Sequence, residues 1–115
     1  MDHHAVLIGG TTSLAQLREH IAPVTPGEVC EYDHGLRFGH GSYGITDNEI
    51  VGDYYGDDLG LPLSRYRFEA WSTATTGHEW AGRVFALLSE LTPLDLLWLT
   101  NSQHVEAERT LSAVA

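Results

Sequence analysis

The sequence predicts an α+β fold in which two amphipathic helices cover one face of a mainly antiparallel β-sheet. Three observations carry this prediction. Residues 64–91 combine an alternating strand with an amphipathic helix, the N-terminus holds a second strand-and-helix pair, and an apolar strand follows near residue 94. A sheet with one apolar face needs a layer of helices to bury it, and the two helical stripes supply that layer.

The segment at residues 64–91 shows both periodicities. Tyr66, Phe68 and Ala70 alternate with charged residues and with Trp71, as expected for a half-covered strand. The helix that follows has an apolar stripe at intervals of three and four residues, made of Trp80, Val84, Leu87, Leu88 and Leu91. Thr76 and Glu79 stand in the positions of a capping box, and Pro93 is expected to end the helix.

The other elements follow from short apolar runs between turn signals. Their predicted bounds are a first strand at Ala5–Ile8, a helix carrying Leu14, Leu17 and Ile21, strands at Val29–Tyr32 and Leu36–Phe38, strand-like pieces at Tyr43–Ile45 and Glu49–Val51, and a last strand at Leu94–Thr100. Ser13 and Gln16 predict a capping box for the first helix. Residues 101–115 are expected to form a tail or a weak helix over Val105–Leu111.

The element order narrows the fold further. It reads βαββαβ, the order of a ferredoxin-like sandwich, with an elaborated hairpin region at residues 39–62. We therefore expect residues 1–115 to form a single α+β domain, a length sufficient to bury a core without disulfides or metals.

Charge is the most informative property of the composition. Sixteen acidic residues and six arginines, with no lysine, leave a formal net charge of −10. Nucleic acids and anionic membranes are bound through basic patches, so this balance disfavours both as partners and favours either a basic protein partner or simple solubility. The one cysteine, Cys30, is expected to be an inert core residue of a reducing compartment. The first ten residues lack a secretion signal, so the expected location is cytoplasmic.

Three motifs resemble ligand sites but favour structural roles. Residues 39–44 spell G-x-G-x-x-G, yet an extended, acidic segment follows where a dinucleotide site needs a helix. Gly9–Ser13 could hold an anion at a helix N-terminus, although the same residues are suited to capping that helix. Asp47–Asp58 overlays part of a calcium loop, but Val51 occupies a ligand position. No cofactor and no metal are predicted.

The seven histidines show no paired spacing typical of a metal or catalytic site. His34, His40 and His78 are the candidates for an acid–base group, and they support the alternative function: a small ligand-binding protein or enzyme of ferredoxin-like dimeric type. Arg65, Arg67 and Trp71 on the other strand face could then form a homodimer contact.

The strongest functional signal is an acidic, tyrosine-rich middle segment. Eight carboxylates lie between Glu28 and Asp58 with one cation, Arg37, among them. Tyrosine supplies rigid contact area at interfaces, and carboxylates steer a basic partner. The residues predicted to bind a partner are Tyr43, Asp47, Glu49, Asp53, Tyr54, Tyr55, Asp57 and Asp58.

These observations favour a non-catalytic protein-binding module over an enzyme. A small acidic inhibitor of the immunity or antitoxin type, covering a basic surface of a toxin or nuclease, fits the size, the charge and the missing catalytic motif. A solvated acidic loop with tyrosines half buried in the core is the structural alternative for the same segment, and an assembly subunit is a third possibility.

Overall fold

The chain forms one antiparallel sheet of seven strands with two α-helices, within the residues that the computed structural model describes: 2–32, 35–39, 41–47, 66–101 and 104–110. In chain order the elements are β1 (His4–Gly9), α1 (Leu14–Ile21), β2 (Val29–Tyr32), β3 (Gly35–Phe38), β4 (Tyr43–Asp47), β5 (Tyr66–Ser72), α2 (Gly77–Leu91), β6 (Asp95–Thr100) and β7 (His104–Arg109). A short 3-10 turn, Ala22–Val24, extends α1. The predicted α+β class is therefore confirmed.

The strand order places β1 inside the sheet rather than at an edge. The order is β2-β3-β4-β5-β1-β6-β7, and every neighbouring pair is antiparallel. The ferredoxin-like topology is not confirmed, because the sheet has seven strands and a four-strand meander, β2 to β5, separates the two helices.

Chain connectivity explains why both helices lie on one face. The helix α1 joins β1 to β2, and α2 joins β5 to β6; within each pair the strands run parallel but are not neighbours. Such crossovers are almost always right-handed. The two crossovers start from antiparallel strands and move in opposite directions across the sheet, so the same handedness puts both helices on the same side.

The main core lies between this helical layer and the sheet. Leu17 and Ile21 of α1 and Trp80, Val84 and Leu88 of α2 are buried together with one face of the strands. That face contributes Val6, Ile8, Leu36, Phe38, Tyr43, Ile45, Phe68, Ala70 and Leu96. The Trp80 indole donates to the Thr25 hydroxyl at 2.9 Å, so its polar edge is satisfied inside the core.

A bulge in β5 places Tyr66 on a different sheet face from the one predicted. Pairing with β1 passes from Ile8–Phe68 directly to Gly9–Tyr66, which leaves Arg67 as the extra residue. The prediction that Tyr66 shares a face with Phe68 and Ala70 is therefore wrong, because the bulge reverses the alternation between residues 66 and 68. It joins a second buried cluster on the opposite sheet face, with Leu7, Leu97 and Leu99.

The two predicted capping boxes have different outcomes. The box of α1 is confirmed: the Ser13 hydroxyl accepts from the amide of Gln16 at 3.2 Å, and the Gln16 side-chain oxygen accepts from the amide of Ser13 at 3.1 Å. The box of α2 is not formed. The Thr76 hydroxyl instead lies 3.0 Å from the Tyr43 hydroxyl, so a tertiary hydrogen bond replaces the local cap.

Strand β7 is a further correction, because a weak helix or tail was predicted there. Residues 104–109 pair with β6 instead. Asn101 takes a left-handed backbone conformation (φ 55°) in the connection, and asparagine is one of the few non-glycine residues that tolerate it. The Arg109 guanidinium donates to the carbonyls of Ser89 and Thr92, so β7 supplies a cation at the C-terminus of α2, whose own last turn has no basic residue.

Cys30 lies on strand β2 as predicted but is exposed, not part of the core. Its strand neighbour across the sheet is the exposed Arg37, on the face turned away from the helices, and β2 is the outermost strand. The described helices lie on the opposite face of the sheet, so they do not cover Cys30.

Replacing Arg109 with methionine should lower the free energy of unfolding by about 1–2 kcal/mol, because the carbonyls at the end of α2 lose a charged, partly buried donor. Chemical denaturation measures the change. The matched control is Arg83→Met on the exposed side of α2, which should stay within about 0.5 kcal/mol. Equal effects of the two substitutions would contradict the proposed role of Arg109.

Gly44 makes room for Trp71, and a pair of substitutions tests this. An added Cβ at Gly44 would lie 2.5 Å from the indole of Trp71, so Gly44→Ala should cost about 1–3 kcal/mol. In a Trp71→Ala background the same change should be neutral or stabilise by about 0.4–1 kcal/mol, because alanine only restricts the unfolded chain. Urea denaturation of the parent protein, the two single variants and the double variant measures the four free energies of unfolding. The same loss in both backgrounds would rule out the contact as the cause.

Candidate functional site

An open groove lies between α1 and the β2–β3 edge of the sheet. Its volume is about 890 Å³, and its lining is largely apolar. The lining residues are Leu14, Ala15, Arg18, Glu19, Ala22, Pro23, Glu31, Gly35 and Leu36. The groove exists because the eight-residue helix α1 turns its buried stripe, Leu17 and Ile21, toward the centre of the sheet. The side of α1 that faces β2 therefore stays open.

The rim of the groove is acidic. Glu19 on α1 and Glu31 on β2 are exposed, and Glu28 is exposed immediately before β2. Arg18 is the one basic residue in the described lining, and its guanidinium is 2.8 Å from a carboxylate oxygen of Glu31. A pair this exposed contributes little to stability. Its main consequence is electrostatic: the charge of Glu31 neutralises Arg18, and the carboxylates of Glu19 and Glu28 leave this part of the surface with a net negative charge.

Strand β2 borders the groove and ends the sheet. Among the described strands it pairs only with β3, through the register Val29–Phe38 to Tyr32–Gly35. Val29 packs against the main core, whereas Cys30 faces the opposite side. In an antiparallel strand every second residue turns its backbone amide and carbonyl away from its neighbour. The outer side of β2 thus presents hydrogen-bonding groups next to an apolar groove.

The structure describes two of the eight residues predicted to bind a partner. Asp47 is exposed at the end of β4. Tyr43 is buried: its ring packs edge-on against Trp80, with ring centres 5.2 Å apart, and its hydroxyl bonds Thr76. Tyr43 therefore joins β4 to the start of α2. The other six lie outside the described residues: Glu49, Asp53, Tyr54, Tyr55, Asp57 and Asp58.

His78 lies in a cluster that joins α2 to strand β7. Its Nε2 atom is 3.4 Å from a carboxylate oxygen of Glu106, and the other oxygen of Glu106 is 3.4 Å from His104 Nε2. The His78 ring also contacts the rings of His4 and Trp98. These contacts fit a role in holding β7 against the helix. His34 and His40 lie outside the described residues.

The pKa of Glu106 reflects competing effects. Desolvation raises it, but hydrogen bonds from His78 and Thr100 and the charges of His104 and His78 outweigh desolvation, so the pKa is lowered. The pKa of His3 is also lowered, but here burial is the main cause. Burial lowers its pKa, the nearby His4 lowers it further, and so its 3.8 Å approach to Glu69 is not an ion pair at neutral pH.

Trp71 and its neighbours cover part of the sheet face turned away from the helices. The ring lies over Gly44, the Arg37 guanidinium carbon is 5.9 Å from the ring centre, and the His3 ring is 6.4 Å away. Such a stack is a favourable cation–π arrangement. Arg67 stays exposed at the bulge and Arg65 is outside the described residues, so the homodimer contact through Arg65, Arg67 and Trp71 stays a prediction.

Three ligand motifs can be compared with the fold. The G-x-G-x-x-G residues 39–44 lead from β3 into strand β4, and Gly39 and Gly41 have positive φ in the connection, as a hairpin requires. The Ser13 and Gln16 groups at the N-terminus of α1 bond each other. Of the calcium-loop pattern only Asp47 is described. Within the described segments, no three histidine, cysteine or acidic residues are arranged to hold a metal ion.

Neither described helix is long and apolar enough to cross a membrane. No protein-family model, no curated protein and no solved structure matches the chain. The groove, its charged rim and its edge strand are therefore the features from which a function can be inferred.

The groove was not predicted as a unit. Glu28 and Glu31 were part of the acidic segment, but Arg18, Glu19 and the apolar floor were not singled out. One signal could have indicated it: Ala15 and Ala22 are apolar yet lie beside the stripe of Leu14, Leu17 and Ile21, which leaves α1 with more apolar surface than one narrow stripe needs.

Glu106→Gln should make the stability of the protein less dependent on pH in the acidic range. Because the folded pKa lies below the ordinary value of 4.5, the carboxylate contributes stability above that pH and loses it as the pH falls through the folded pKa. The variant should therefore be less stable at pH 7, and the difference should shrink at low pH. Urea denaturation at several pH values measures it. Glu108→Gln, on the same strand but exposed, is the control, and an identical pH profile for both variants would contradict the assignment.

Proposed function

We propose that this protein is a non-catalytic acidic protein-binding module, a small cytoplasmic inhibitor of the immunity or antitoxin type that covers a basic surface of a partner such as a toxin or nuclease. The observation that carries the proposal is the open apolar groove with its acidic rim at the edge of the sheet. Apolar surface supplies affinity, and a ring of charge supplies orientation and selectivity.

The charge of the described surface supports a basic partner. Eight exposed acidic residues stand against three exposed arginines. The acidic residues are Asp2, Glu19, Glu28, Glu31, Asp47, Glu79, Glu90 and Glu108, and the arginines are Arg37, Arg67 and Arg83. Enzymes that act on nucleic acids need basic active sites, so an acidic cover of this kind matches what such an inhibitor has to block.

Two groups of carboxylates are the proposed contacts. The first, called the rim set, is Glu19 and Glu31 in the groove lining together with Glu28, which is exposed just before β2. The second is the predicted acidic and tyrosine-rich segment, whose charged members Glu49, Asp53, Asp57 and Asp58 lie outside the described residues. Asp47, exposed at the end of β4, leads into that segment. Tyr43 lies in the core and joins β4 to the start of α2 through its bond to Thr76.

Charge reversal maps the contact surface. The tagged protein is used to capture partners from its source cell, and each captured protein is then purified and measured against three sets of substitutions to arginine. The sets are the rim (Glu19, Glu28, Glu31), the segment (Asp53, Asp57, Asp58) and, as control, the α2 surface (Glu79, Glu90). We expect a basic partner whose Kd rises about tenfold or more with the rim or the segment set and stays unchanged with the control set.

Salt and folding controls complete this test. Affinity should fall as ionic strength rises, because the proposed contacts are screened charges. Circular dichroism and thermal unfolding confirm that each variant is folded. The proposal fails if purified partners bind all three sets with equal affinity, or if no basic partner binds the purified protein.

A further inference from the structure

We propose that an extended basic segment of the partner adds to the sheet beside β2 and places its apolar side chains in the groove under α1. This inference names the binding mode of the proposed function and rests on it. It depends on three features that meet at one place: an outermost strand, an apolar groove on the helix side of that strand, and carboxylates around both.

The outer edge of β2 provides the backbone part of the site. Residues 29–32 pair with β3 on one side, and β2 is the last strand in the sheet order. Every second residue of such a strand directs its amide and carbonyl outward. An extended segment can satisfy these groups by pairing with them, as in recognition by β-strand addition.

The groove provides pockets for alternate side chains. An added strand would run roughly 4.8 Å from β2, and its side chains would point alternately to the two sheet faces. On the helix side they would meet the apolar floor, Leu14, Ala22 and Leu36. On the other side they would lie near Cys30, which is exposed there. Small or branched apolar residues at some of the helix-side positions fit this floor.

The charges determine which segment fits. Glu31 lies on the helix side of β2, Glu19 lies across the groove on α1, and Glu28 precedes the strand. Arg18 is held by Glu31, so it does not offset the other two carboxylates. An incoming segment that carries both apolar residues and arginine or lysine among its helix-side positions would fill the groove and pair with this rim, whereas an acidic segment would be repelled.

A second copy of the chain fits less well than a basic partner. Antiparallel pairing of two β2 strands about a twofold axis would bring Glu28 and Glu31 of both copies close together, between chains that each carry a net charge of −10. Like charges across a strand pair are destabilising. The same carboxylates that attract a basic segment therefore oppose self-association.

Synthetic peptides test the inference without the natural partner. The probe is an eight-residue peptide, blocked at both ends, with threonine at every second position and valine and arginine in turn at the positions between, so that valine and arginine share one face of the extended strand. The comparison peptide has glutamate in place of arginine. Two further probes carry N-methyl groups on alternate residues, one in each of the two registers, so that each lacks half of the amide donors. Isothermal titration calorimetry against the purified protein measures the affinity and the stoichiometry of each peptide.

Strand addition predicts a specific pattern. The valine–arginine peptide should bind one to one, and the glutamate peptide should not bind. N-methylation in one register should weaken binding about tenfold or more and in the other register much less, because only alternate amides face β2. Binding should weaken about tenfold in the double variant Glu19→Arg, Glu31→Arg and should be unchanged in Glu79→Arg, Glu90→Arg.

Cys30 serves as a reporter of where the peptide lies. It is the one cysteine of the chain and is exposed on β2. A saturating amount of the valine–arginine peptide should slow its alkylation by iodoacetamide several-fold. The inference is overturned if both N-methylated peptides bind equally, if the rim variant binds as well as the parent, or if Cys30 reacts at the same rate with and without peptide.

The remaining outcomes separate this inference from the proposed function. A stable dimer of the free protein that oxidises readily through Cys30 would make the edge a self-interface and would overturn the inference. If a natural basic partner binds but is not displaced by the valine–arginine peptide, the binding mode is wrong while the proposed function stands. If the peptides behave as expected and no basic partner exists in the cell, the strand-addition site stands and the proposed function fails.

Discussion

Burial of β1 on both of its faces is the constraint on which the rest of the structure depends. All six residues of the strand are buried. Val6 and Ile8 face the helices, whereas Leu7 faces the second cluster with Leu97 on the other side of the sheet. A strand that is apolar on both faces cannot lie at an edge, so β5 and β6 must flank it. That requirement explains why α2 crosses over β1 to connect two strands that do not touch each other.

The same requirement leaves the ends of the sheet less covered. The two helices pack where burial is greatest, over β1 and its neighbours, and α1 is too short to cover the far edge as well. The end at β7 is secured by polar links: Arg109 reaches the C-terminus of α2, and Glu106 reaches His78 and Thr100. At the end formed by β2, the side-chain link to α1 is the exposed pair of Arg18 and Glu31, which holds the edge only weakly. The groove thus forms because the core is centred on β1, and α1 does not extend over β2 at the edge of the sheet.

Much of the fold was predictable from periodicity and turn chemistry. The α+β class, both helices and strands β1 to β6 follow from local patterns of three to eight residues. What could not be predicted depends on contacts between distant residues. The Thr76 hydroxyl bonds Tyr43 rather than its own helix, the bulge at Arg67 moves Tyr66 to the other face, and the polar residues of β7 gain strand pairing only because β6 is already in place.

The candidate site shows the same division between local and distant information. The acidic character of Glu28 and Glu31 is visible in the sequence, but Glu19 joins them only because the crossover through α1 brings it above the sheet edge. Cys30 has the neighbours of a core residue along the chain, but the register of β2 turns it to the sheet face opposite the helices, where it is exposed.

The carboxylates around β2 can serve two purposes at once. Among the described strands β2 is at an edge of the sheet, beside an apolar groove. An edge of this kind is a hazard for self-association, and charged residues are a common protection. A rim that repels a second acidic copy of the same chain is also a rim that attracts a basic partner. Protection against aggregation and selection of a partner then require the same residues, so Glu19, Glu28 and Glu31 need not be explained by one role alone. The proposed binding mode uses the edge that this protection keeps free.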